Sequence, residues 1–89
     1  MIIFTSSERA FLTEMRSLAI DRSGNEHLVG LNLDETEFYQ EYVRARGRGE
    51  WRSDEDADRY LTLHETHEAF RFAIINAEVQ LREEGPTKQ

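Results

Sequence analysis

The chain has 89 residues, 38% hydrophobic and 33% charged, with a formal net charge of −7 and no cysteine. That length makes one domain with a small core, for which oligomerisation is the expected supplement, and the composition is that of a folded globular chain. The lack of cysteine excludes disulfides, thiolate catalysis and cysteine-ligated zinc. Apolar runs no longer than Met1–Phe4 and Phe72–Ile75 are too short for a membrane-spanning helix.

The N-terminus has neither the basic segment nor the apolar stretch of a secretory signal, so a cytoplasmic protein is expected. Charge is unevenly spread. Arg44 to Arg52 holds four arginines and one acid, Glu50, a net +3 that leaves −10 on the remaining chain. An acidic body predicts no direct binding to a phosphate backbone.

Thr5-Ser6-Ser7-Glu8 is a capping-box pattern and predicts a first helix over about 6–20, with Phe11, Leu12, Met15, Leu18 and Ala19 at helical spacing. Asp21-Arg22-Ser23-Gly24-Asn25 supplies the turn residues that close it. Residues 21–32 then read as an apolar connector. Leu28, Val29, Leu31 and Leu33 fit either a loop laid over the core or a short strand pairing with Met1–Phe4, and two strands so short are marginal alone, so the loop is the expectation.

Asn32-Leu33-Asp34-Glu35 repeats the capping logic for a second helix over about 33–46. Its acids lie in the first turn and Arg44 and Arg46 in the last, which suits the helix dipole. Gly47-Arg48-Gly49 ends it, and the short loop predicts a helical hairpin with the next helix.

Ser53 with Asp54, Glu55 and Asp56 opens a third helix over about 54–84, which Gly85-Pro86 stops. Tyr60, Leu63, His67, Phe70, Ile74, Ala77 and Leu81 recur at alternating spacings of three and four, the seam of a coiled-coil-like surface. At about 1.5 Å per residue the helix spans roughly 46 Å, more than the roughly 30 Å diameter of a compact chain this size. Leu61, Phe72, Ile75 and Val79 form a second apolar stripe. Two apolar faces call for two covers, the chain's own helices and a second copy of the protein. In a parallel dimer His67 would face its own copy, and protonation near pH about 6.5 would set two charges together.

His64 and His67, with Glu68 four residues after His64, are the one arrangement with the spacing of a metal site. It lacks the further ligands a site needs and matches neither the metalloprotease nor the di-iron pattern, so no metal or other cofactor is expected. The loop residues Arg44, Arg46, Arg48, Trp51 and Arg52 form the candidate partner-binding surface, since Arg and Trp dominate interface hot spots. The competing reading makes Trp51 a plug at the hairpin end. No phosphate-binding or nucleophile motif is present, and no enzymatic activity is expected.

The expectation is therefore an all-α, three-helix domain with a C-terminal helical hairpin. It dimerises through the seam and regulates or inhibits another protein by binding it. An acidic mimic of nucleic acid, blocking a basic groove on a DNA- or RNA-binding protein, is the first alternative, and metal binding at His64 and His67 the second.

Overall fold

The computed structural model describes residues 2–83. In chain order these form α1 (Ser6–Glu14), β1 (Leu18–Ile20), β2 (Glu26–Leu28), α2 (Leu33–Gly47) and α3 (Asp54–Glu83). The chain is dominated by helix but is not all-α, because β1 and β2 pair as a two-stranded antiparallel sheet with Leu18 opposite Leu28 and Ile20 opposite Glu26.

The correction begins at the end of α1. The N-terminal capping box is in place, Glu8 N donating to Thr5 Oγ1 at 3.1 Å and Thr5 N to Glu8 Oε1 at 2.8 Å. The helix stops at Glu14 instead of near residue 20, because Arg16 turns left-handed at φ 60°. Ser17 N then donates back to Leu12 O at 2.8 Å and Arg16 N to Thr13 O at 3.2 Å, the two bonds of a Schellman ending with arginine where glycine is usual.

The redirected chain runs out as β1. Asp21-Arg22-Ser23-Gly24-Asn25 is thus a hairpin turn and not a helix terminator. Its Asp21 carboxylate accepts from Ser23 N at 2.8 Å and Asn25 N at 2.9 Å, and Gly24 takes φ 85°. These bonds hold the Asp21 carboxyl below its usual range, the Asn25 amide contributing most. The strand that pairs with β2 is β1, not the N-terminal run. Residues 2–5 have no regular structure, and Phe4 is buried in the core instead.

That core is small. Phe4, Leu28, Leu31, Tyr39 and Leu63 form it, with Ile2, Leu12, Leu18, Phe38 and Tyr60 packed around them. Thr36, fully buried on α2, accepts a 3.0 Å bond from Leu28 N and so ties the sheet to the helix behind it. On the other side Arg9 of α1 pairs with Glu26 of β2 at 2.7 Å.

The second capping box also forms, Glu35 N donating to Asn32 Oδ1 at 2.8 Å and Asn32 N to Glu35 Oε1 at 2.9 Å. After α2 the backbone reverses at Gly49, φ 73°, and Asp56 N donates to Ser53 Oγ at 3.2 Å as α3 begins. Helices α2 and α3 run antiparallel, since Tyr42 stacks on Tyr60 at 4.4 Å while Tyr39, three residues earlier, reaches His64 and His67.

The thirty residues of α3 span about 45 Å. They give the molecule its 55 × 26 × 23 Å outline. The Gly85-Pro86 stop lies outside the described residues. Among the described residues no helix is long and apolar enough to cross a membrane.

Candidate functional site

The predicted seam divides in two. Leu63 and His67 are buried against the chain's own α2 and sheet, and Tyr60 stacks between Tyr39 and Tyr42 at 4.9 and 4.4 Å. Beyond them Phe70 is 54% exposed, Ile74 37% and Leu81 72%, and Ala77 is exposed with them. Near 100° per residue, Phe72 and Val79, also exposed, fall on the side of α3 nearly opposite this stripe.

Between the two stripes α3 is held to the end of α1. Arg16 Nε donates to Glu78 Oε1 at 2.9 Å, and Arg71 Nη1 donates to Met15 O at 3.2 Å. The far half of α3 therefore has a fixed orientation and two uncovered apolar sides.

Of the five residues proposed for partner contact, Arg44, Arg48 and Arg52 line one polar recess together with Glu41. Arg44 points back into the fold, where its guanidinium donates to both oxygens of Glu8 at 2.8 and 2.6 Å and to Ile3 O at 2.8 Å. This contact, with the Thr5 amide and Gln40 bonds behind it, drives the Glu8 carboxyl down to about 2 against partial burial. Arg44 thus locks α1 to α2.

The remaining four cluster around the hairpin end. Arg46 lies 5.8 Å from the Tyr60 ring centre, Arg48 pairs with Glu50 at 2.6 Å, and Arg52 approaches Asp56 at 4.0 Å. Trp51 is 93% exposed and plugs nothing. A bare indole on a loop that turns at a glycine is a large apolar body held in water.

His64, His67 and Glu68 are each committed elsewhere. Tyr39, whose phenol burial keeps protonated, shares a 2.8 Å hydrogen bond between its hydroxyl and His64 Nδ1. His67 Nδ1–H donates to Val29 O at 2.8 Å, and Glu68 receives Arg71 at 2.7 and 2.9 Å. Burial pushes the His67 pKa down, the Val29 bond opposing it, and the ring is neutral. Among the described residues no three histidine, aspartate or glutamate side chains group as a metal site.

Glu8 with Arg44, Arg71 with Glu68, and Phe70 against Gly30 are the contacts that sequence spacing missed. Glu8 carried a signal only for its local capping role, and its partner lies 36 residues away. Compared with protein-family models, curated proteins and solved structures, the chain matches none of them.

Proposed function

We propose that this chain is a small cytoplasmic protein-interaction module that regulates or inhibits another protein by binding it, and that it works as a homodimer. The observation that carries the proposal is the far half of α3, where Phe70, Ile74 and Leu81 repeat at coiled-coil spacing and are open to water while the same stripe nearer the loop is core. A second copy laid along this stripe continues the packing that α2 supplies to Leu63 and His67. The small alanine at 77 allows the helices to approach closely.

The contact with the regulated protein is assigned to the other end, where Trp51 stands between Arg48 and Arg52. An exposed Trp among arginines has the chemistry of a hot spot, and its net positive loop suits an acidic, apolar-centred patch on the partner. The test is capture of binding proteins from the native host by wild type and Trp51→Ala. Partners held by wild type and lost by Trp51→Ala support the assignment, and partners held equally by both remove it. An interaction that weakens steeply with salt would instead favour the acidic-mimic reading.

A further inference from the structure

A cavity of about 480 Å³ opens where α1, α2 and α3 meet, away from both the hairpin loop and the free stripe of α3. Its walls are mostly apolar: Phe11 and Leu12 come from α1, Tyr39 and Val43 from α2. Two polar side chains in the lining are more than nine-tenths buried, His67 at 3% exposure and Gln40 at 5%. The chemistry each presents to the cavity follows from its other bonds.

Gln40 donates one Nε2–H to Glu8 Oε2 at 3.1 Å, which leaves its amide oxygen and its second N–H for the cavity. His67 spends its one N–H on Val29 O, so the neutral ring's Nε2 carries a lone pair and no hydrogen. Among the described residues no group bonds to that Nε2. Among the described residues no buried side-chain nitrogen or oxygen is both sealed off and unbonded. Nε2 is therefore open to the cavity that His67 lines.

The lining thus offers His67 Nε2 and the Gln40 oxygen as buried acceptors in an apolar chamber, beside the Ser7 hydroxyl and the second Gln40 N–H. Its one cation, Arg44, is charge-paired with Glu8 and also donates to Ile3 O, and its two carboxylates, Glu8 and Glu68, are held by Arg44 and Arg71. An anion would meet carboxylates and lone pairs. A wholly apolar guest would leave His67 Nε2 and the Gln40 oxygen buried without partners, which is costly.

We propose that this cavity binds a small uncharged molecule with a flat apolar body and one N–H or O–H donor, the chemistry of an indole or a phenol, with the donor directed at His67 Nε2. Walls of Phe11, Leu12, Tyr39 and Val43 cover the body, and the buried acceptor selects the donor, the usual division of labour in a ligand pocket. The inference is independent of the dimer and of the Trp51 loop.

The test uses the full chain labelled with 15N at histidine and two probes of nearly the same shape. Indole carries the N–H, and benzofuran has a ring oxygen in its place. Indole is expected to bind and to move the His67 Nε2 resonance, with benzofuran at least tenfold weaker, because a site built around a hydrogen bond rejects the analogue that lacks it. Val43→Phe, at the half-open edge of the cavity, is expected to fill it and abolish indole binding without changing the melting curve. Equal affinity for the two probes, no indole binding up to its solubility limit, or undiminished binding in folded Val43→Phe would each overturn the proposal. The comparison of the two probes needs no variant, so it stands even if a substitution fails to fold.

Discussion

Phe70 lies directly on Gly30: a β-carbon built on that glycine would come within 2.6 Å of Phe70 Cδ2 and 3.2 Å of its Cβ. Gly30 also has φ 81°, in the left-handed region. The turn after β2 is thus clamped beneath α3, and Phe70 has one side on backbone and the other in water. Gly30→Ala meets two costs, about 1 kcal/mol of left-handed strain and a further ~1–3 kcal/mol of overpacking that ring rotation does not clear. A fall of roughly 8 °C or more in Tm is expected. In a Phe70→Ala background the 2.6 and 2.9 Å ring contacts are gone and only the 3.2 Å contact to Cβ remains, so the cost of Gly30→Ala should shrink toward the strain. Equal costs in both backgrounds would show that the ring does not press on the turn.

Trp51 gives the opposite expectation. A side chain 93% exposed contributes little to the fold. Trp51→Ala should leave stability within about 0.5 kcal/mol of wild type, whereas loss of a buried plug would cost about 3–5 kcal/mol. Since this is the only tryptophan, its fluorescence reports one site. The folded protein's emission should be that of water-exposed indole, freely quenched by acrylamide.

His67 and Glu8 contribute to the acid response in separate windows, Glu8 sharing the lower one with the other depressed carboxylates, Asp21, Glu26, Glu50 and Glu68. His67 has a folded pKa below its ordinary 6.5 because burial disfavours the charge. The unfolded chain takes up the proton first, so the stability due to neutral His67 is complete above about 6.5 and drains away as pH falls toward the depressed folded value. Glu8 goes from 4.5 to about 2, chiefly through Arg44. Its contribution is complete above 4.5 and is lost as pH falls from there to about 2. Denaturant midpoints measured against pH should therefore drop in two steps. Glu8→Gln, which weakens the bond to Arg44 at a cost of about 1–3 kcal/mol, should flatten the lower step only. If it flattens the upper step as well, the assignment of the windows is wrong.

The parts of this fold that sequence made legible are those decided within a few residues. Thr5 with Glu8 and Asn32 with Glu35 are both three apart, and both capping boxes form. The end of α1 was hidden because the signal for a left-handed C′ residue is glycine, and here arginine occupies it. Arg16 is held there by contacts that no spacing rule can see: its guanidinium donates to Glu14 O at 3.1 Å and to Glu78, 62 residues on. Strands of three residues are also too short to show alternation. Periodicity found the buried stripe of α3 but not its cover, because a residue buried by α2 and one buried by a second copy share the same spacing. Hence His67, read as a dimer contact, is the core residue bonded to Val29, and its neighbour Leu63 joins the same core.

That division sharpens the test of the dimer. Ile74 is 37% and Leu81 72% exposed and neither belongs to the buried core cluster, so Ile74→Asp and Leu81→Asp should stay close to the wild-type melting curve at low protein concentration. In a two-fold dimer each substitution acts twice, and every new carboxylate must lose water against an apolar stripe, a cost that outweighs a modest interface. Sedimentation equilibrium should find wild type dimeric and both variants monomeric. With His67 turned into its own subunit, association should be the same at about pH 5.5 and about pH 7.5 for as long as the protein stays folded. A folded Ile74→Asp and Leu81→Asp pair that both still dimerise would exclude this stripe as the interface. A dimer that loosens tenfold in acid without unfolding would put His67 back in it.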